Sequence, residues 1–298
     1  MAIIFVFLDG VGLAPAGPNN PFTTVPMLRL QQLLGGPLSL EHVQQRAGLL
    51  LQPIDAALGV AGAPQSGTGH VALLAGVNAP AMHGRHQPNF PPTALRPLLA
   101  ERSVLRRARA AGHAVAFANV FTPGYWQAIA SRRVRRSASV IAAEGAGVRL
   151  RTLDDFAAGR ALSWDITGAM LQLRGEGPDL APVAPEEAGA WLAAFAHEHE
   201  LVFFESFMTD LAGHGRLGVA GIGETLLRVD GMIGGVLDTL RSTDTLLITS
   251  DHGNLEDTSI KGHTEAAVPL LAVGPAAAHF AAVRRIDQVA EAILAVLG

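Results

Sequence analysis

The chain has no cysteine, which excludes disulfides and thiolate metal sites and leaves any metal to oxygen and nitrogen donors. Charge is also scarce. Charged residues make up 16% and the formal net charge is −4, so there is no basic surplus of the kind a nucleic-acid partner requires. No uninterrupted apolar run is long enough to span a bilayer. The apolar opening, Ala2–Leu8, is too short for a signal-peptide core, lacks a basic flank and runs straight into Asp9. A soluble cytoplasmic protein with no membrane or nucleic-acid partner is the expectation. Internal repeats are absent as well. What is present is 298 residues, 49% of them hydrophobic, enough for a sizeable core in one large or two medium domains.

The most informative stretch is Thr245–Pro269, TLLITSDHGNLEDTSIKGHTEAAVP. Its apolar run Leu246–Ile248 ends in Ser250-Asp251-His252-Gly253, and His263 follows eleven residues after His252. This reads as a buried strand delivering ligands at its carboxyl end, the edge where open α/β sheets bind ligands. Carboxylate oxygen with imidazole nitrogen suits zinc, manganese or another first-row divalent ion. An Asp capping a turn explains one such triplet equally well, but the pattern recurs. Ala2–Leu8 ends in Asp9-Gly10, and Leu201–Phe207 is followed by Asp210 and, four residues on, His214. On a helical turn Asp210 and His214 point the same way.

Three strands that each end in Asp predict a mostly parallel sheet sandwiched by helices, with the acids converging at one edge. Crowded carboxylates repel and take up protons unless cations hold them ionised. The donor count suits two divalent ions. A glycine-rich turn, Gln65-Ser66-Gly67-Thr68-Gly69-His70, opens a helix and offers free N–H groups to a phosphate. Ser66 or Thr68 could be a nucleophile or an N-cap, and His70 could be a ligand or a packing residue. No Gly-Lys-Ser/Thr follows, so this is not a P-loop, and its distance from the first strand excludes the dinucleotide fingerprint. Between about 85 and 199 the texture changes. Arg85, between His83 and His86, is the single best candidate for holding a substrate phosphate, ahead of Arg132, Arg133, Arg135 and Arg136. Helices are expected over 27–34, 102–111, 185–197, 217–240 and 287–297, with further strands over 114–120 and 270–273.

Taken in order, FLDGVG, PQSGTGH, TDLAGH, SDHGN and GHT before AVP resemble the alkaline-phosphatase superfamily. Within it they resemble the metalloenzyme branch of cofactor-independent phosphoglycerate mutase and phosphopentomutase. The motifs lie in roughly residues 1–80 and 200–298. The resemblance implies an α/β alkaline-phosphatase-like core in residues 1–84 and 200–298, with a smaller inserted α/β cap at 85–199. It implies one metal on Asp210, His214 and His263, and a second on Asp9, Asp251 and His252, with Ser66 as nucleophile and ligand. It selects Ser66 over Thr68, because the family's nucleophile stands four residues before the histidine of a Gly-His pair. The implied chemistry is phosphoryl transfer through a phosphoserine on a small phosphorylated substrate, with a phosphomutase ahead of a phosphomonoesterase. A metal-binding scaffold without turnover is the alternative from another class. The substrate does not carry over, because the middle segment is much shorter than that of the phosphoglycerate mutases.

Overall fold

The structure, a computed structural model, describes residues 1–177, 179–218 and 221–298. Its centre is β1 (Ile3–Leu8), six consecutive buried apolar residues. Side chains alternate across a strand, so Ile3, Phe5 and Phe7 enter the core on one face while Ile4, Val6 and Leu8 enter that on the other. A strand covered on both faces reads as an unbroken apolar run, as this one does.

The other strands are β2 (Gln44–Arg46), β3 (Leu49–Ile54), β4 (Val115–Phe117), β5 (Leu201–Ser206), β6 (Thr245–Thr249) and β7 (Val268–Val273). They form one seven-stranded sheet in the order β2-β3-β7-β6-β1-β5-β4. The strands β4, β5, β1 and β6 are mutually parallel, whereas β7, β3 and β2 continue the sheet in antiparallel fashion. Helices Ser66–Ala75, Arg96–Arg102, Val104–Ala110, Ala138–Ala146 and Val289–Leu297 contribute to the core on the Phe5 face. Helices Leu28–Leu34, Pro185–Ala194 and Gly221–Thr239 contribute to the core on the Val6 face. The last two approach closely because Gly189 and Gly235 carry no side chain: a Cβ on Gly189 would collide with Met232 O, and one on Gly235 with Glu186 O.

The expected helix over 217–240 runs Gly221–Thr239, and positions 219–220 lie outside the described residues. The helix expected over 102–111 runs Val104–Ala110, and the Ser103 hydroxyl accepts from Arg106 N and caps its start. Segment 85–199, expected from sequence as an inserted cap, contributes to the main sheet and to both of its cores. Its strand β4 pairs with β5 in the main sheet, and its helices supply Leu99, Val104, Leu105 and Val140 to the Phe5 face and Leu192 to the other. The segment's own cluster is small, Val120, Phe156, Ala161 and Leu171, and sits beyond the carboxyl end of β4. Among the described residues, no helix is long and apolar enough to cross a membrane.

Candidate metal centre

Parallel pairing in the registers Ile3–Leu201 and Ile3–Thr245 puts the carboxyl ends of β1, β5 and β6 at one edge. Asp9 follows β1 directly, Asp251 lies two residues beyond β6, and Asp210 lies in the first turn of helix Met208–Gly213 after β5. The chain then returns His263 to this edge: Thr264 N donates to Gly253 O at 3.0 Å, and the His263 ring stacks on that of His252 with centroids 3.7 Å apart.

Two donor groups result. One is Asp210, His214 and His263, half-buried; the other is Asp9, Asp251 and His252, buried, and within each group the donor atoms lie within 4.8 Å of one another. Donors on a first-row ion stand about 2.0–2.2 Å from it and so within about 4.4 Å of each other, which this spacing nearly meets. Ser66 is the first residue of its helix, and its Oγ lies 2.9 Å from His252 Nε2. Nε2 is also 3.1 Å from Asp9 Oδ1, which places the hydroxyl against the second group.

The donor set suits a divalent cation on internal grounds. Among the described residues, Asp9 Oδ1 and both Asp251 carboxylate oxygens are buried without a well-aligned hydrogen bond, facing only the His252 and His70 rings at 3.1 and 3.2 Å, a costly arrangement for two adjacent carboxylates. The histidines are oriented from behind. His263 Nδ1 lies 2.9 Å from Pro64 O and His252 Nδ1 lies 3.2 Å from Gly253 O, so each keeps Nε2 for the site. Asn254 Nδ2 donates to Asp210 Oδ1 at 2.7 Å. Buried Glu256 accepts from Gly12 N and Asn254 N at 2.9 and 2.8 Å, tying the two loops together.

The charges are strongly coupled. Burial disfavours the Asp9 carboxylate, but His252 and His70 outweigh it and hold the group far below its ordinary range. Burial likewise opposes charge on His252, yet Asp251 and Asp9 raise it to about 9. His70, undecided from sequence, stands 3.2 Å from Asp251 Oδ2 and 3.5 Å from Asp9 Oδ2, and the two carboxylates raise its pKa against burial. Burial lowers His214, which keeps it neutral and available as a ligand. Burial also pushes Glu205, at the end of β5 and bonded by Ser139, up to about 7.

A sign follows for metal binding. In the metal-free protein His252 keeps its proton up to about pH 9, and a cation has to displace it. Apparent affinity for Mn²⁺ is therefore expected to rise with pH, by up to about tenfold per unit between about pH 6.5 and 9 while one proton is released. Titration calorimetry in buffers of different ionisation enthalpy checks both the slope and the proton count; a flat profile would contradict it. The same raised pKa stabilises the metal-free fold below about pH 6.5, a contribution lost as pH rises through about 9.

The glycines of the Ser66 turn have steric reasons. A Cβ on Gly69 would stand 2.9 Å from Asp251 Cβ, and one on Gly67 would stand 2.6 Å from Gln87 O. Gly67→Ala is expected to push the 87–90 loop or Ser66 out of place, costing about 1–3 kcal/mol of stability. A melting curve checks it, and an unchanged melting temperature would mean that the turn has room.

Arg85 is exposed, and among the described residues its side chain makes no hydrogen bond or ion pair. The 87–90 loop just beyond it packs on the Ser66 turn, with Thr68 N donating to Gln87 O at 3.2 Å. Arg132, Arg133, Arg135 and Arg136 are exposed too, and Arg136 pairs with Glu144 at 2.9 Å. The structure therefore gathers the Asp, His and Ser candidates and leaves the arginines at the surface. Sequence reading passed over Asn254, Glu256 and Glu205. Asn254 and Glu256 lie within five residues of Asp251, a proximity that was the available signal.

The Metalloenzyme superfamily pattern matches residues 181–298. A phosphopentomutase of Syntrophotalea carbinolica is 39% identical over 79 residues, which is 26% of this chain and 20% of that protein. The chain thus matches about a fifth of that relative's length. Solved structures extend the likeness to the whole fold. A protein of Pyrococcus horikoshii aligns with TM-score 0.57 and 14% identity over 99% of this chain and 96% of its own. The alkaline phosphatase of the Antarctic bacterium TAB5 aligns with TM-score 0.53 and 14% identity over 99% of this chain and 98% of its own. The chain thus carries the Metalloenzyme superfamily pattern in residues 181–298 on a fold similar to that of the alkaline phosphatases.

Proposed function

We propose that the chain is a metal-dependent phosphoryl-transfer enzyme that works through a phosphoserine at Ser66. The observation that carries this reading is the Ser66 hydroxyl at a helix N-terminus, 2.9 Å from His252 Nε2 and beside two groups of cation donors. Asp9, Asp251, His252 and Ser66 would hold one divalent ion; Asp210, His214 and His263 would hold the other, with manganese and zinc both suited to the donors. Such ions, when bound, lower the pKa of a serine hydroxyl and neutralise charge on phosphate oxygens.

The chain's own atoms do the rest. Ser66 Oγ attacks phosphorus as its proton leaves, the ester P–O bond breaks, and the leaving oxygen takes up a proton. Among the described residues, Ser66 N and Gly67 N donate to no backbone carbonyl, so they remain for phosphate oxygens at the positive end of the helix. The phosphoserine then passes its phosphoryl group to another hydroxyl of the same molecule or to water. Likeness to the phosphopentomutase segment favours the mutase outcome. A phosphomonoesterase is the second reading, favoured by the half-buried, solvent-reachable Asp210 group.

Acid-quenching the Mn²⁺-loaded protein with p-nitrophenyl phosphate tests the proposal. A phosphoryl mass gain confined to the peptide containing Ser66 is expected. Metal uptake with neither phosphoserine nor turnover would reduce the protein to a metal-binding scaffold.

A further inference from the structure

On helix Met208–Gly213 the buried residues are Met208, Thr209 and Ala212, while Phe207, Asp210, Leu211 and His214 are half-buried. These four follow helical spacing, so Phe207 shares a face with the two candidate cation donors, one turn earlier. Trp164 extends that face: its ring lies 6.5 Å from the Phe207 ring, tilted by 41°. The guanidinium of Arg174 in turn lies 5.2 Å from the Trp164 ring centroid. Arg174 is exposed, and its guanidinium makes no hydrogen bond or ion pair among the described residues.

The Trp164 loop is held from several directions. Asp165, fully buried, accepts from Gly168 N at 3.2 Å, Met170 N at 3.0 Å and Thr167 Oγ1 at 3.3 Å, and pairs with Arg228 at 3.4 Å. Ser206 Oγ, at the end of β5, donates to Trp164 O at 2.7 Å. Ile166 is buried at φ 70°, a conformation rare for a β-branched residue and one that persists only where the surroundings impose it. Between 161 and 168 every residue is buried except Trp164. A strained, fully anchored turn that leaves one indole half-exposed beside a candidate metal centre is built to present that ring.

We propose that Trp164, with Phe207 beside it and Arg174 over it, is the specificity-determining wall for the organic part of the phosphate ester, and that the favoured class is nucleoside monophosphates. The proposal rests on the phosphoryl-transfer reading of the same site. Ring chemistry selects the class. A half-exposed indole with a phenyl ring 6.5 Å away offers a flat apolar face. A flat base stacks on such a face, whereas a bare sugar phosphate has no planar group to set against it.

Binding rather than turnover provides the test, so the outcome does not depend on phosphoryl transfer. Adenosine 5′-monophosphate, ribose 5-phosphate and inorganic phosphate are titrated into Mn²⁺-loaded wild-type, Trp164→Ala and Trp164→Phe proteins by calorimetry and tryptophan fluorescence. In the wild type the nucleotide is expected to bind about tenfold more tightly than ribose 5-phosphate and to quench fluorescence. Trp164→Ala removes that advantage and leaves ribose 5-phosphate and phosphate unchanged; Trp164→Phe keeps most of the advantage and loses the quenching. Equal wild-type affinity for the two esters overturns the proposal. So does a Trp164→Ala loss shared by all three ligands, which is a structural effect. A nucleotide preference in a protein that forms no phosphoserine would instead sink the transfer reading and leave this one standing.

Discussion

Ser66→Ala is expected to lower turnover by about three orders of magnitude or more and to abolish the phosphoenzyme while metal content stays nearly intact. Metal content survives because the hydroxyl is one donor among four, and Asp9, Asp251 and His252 remain buried in place. No neighbouring hydroxyl substitutes. Thr68 is fully buried, with its Oγ1 donating to Gln65 O at 3.3 Å and accepting from Gln87 N at 3.2 Å. Single-turnover kinetics and peptide mass spectrometry read the two effects separately. A variant that still forms phosphoenzyme would put the nucleophile elsewhere; one that loses both ions would make Ser66 mainly a structural ligand.

His263→Ala is expected to reduce bound metal from two ions to one and to lower turnover about 10²–10³-fold, roughly 3–4 kcal/mol of barrier, as when one preorganised electrostatic contact is lost. Its Nε2 lies 3.3 Å from His214 Nε2 and 3.5 Å from Asp210 Oδ1, so its removal leaves that group a single carboxylate and a single imidazole. The change also breaks the Pro64 contact and the stack on His252, which adds to the loss. Elemental analysis after gel filtration gives the stoichiometry. Unchanged metal content would remove His263 from the ligand set.

The sequence made the candidate metal edge legible because its physics is local. Apolar runs such as Ile3–Leu8, Leu201–Phe204 and Leu246–Ile248 read as strands covered on both faces, and parallel pairing then sends Asp9, Asp210 and Asp251 to one edge. The Phe5-face helices were legible only in part: 102–111 read as helix, but Arg96–Arg102 begins within the proline-rich stretch Pro88–Pro97, which reads as loop. The β2–β3 hairpin, with its exposed Gln44-Gln45-Arg46 edge, has no periodic signal that separates it from loop. The role of segment 85–199 in the main sheet was hidden for a different reason. Compositional texture reports proline and arginine content, not whether Val115–Phe117 will find β5 as a neighbour. Site residues that act through the backbone, such as Pro64 holding His263, depend on contacts some 200 positions apart. Arg85 was chosen by proximity along the chain to Ser66, and chain proximity says nothing about where an exposed side chain points.

The pairing of β1 with strands beginning at Leu201 and Thr245 has a consequence for biogenesis. Roughly 200 further residues must be made after β1 before either neighbour exists, so its six apolar residues require shielding by a chaperone or transient burial in the meantime. Destabilising changes in β5 or β6 should therefore appear first as aggregation of nascent chains, before they appear as a loss of cation affinity in the protein that does fold.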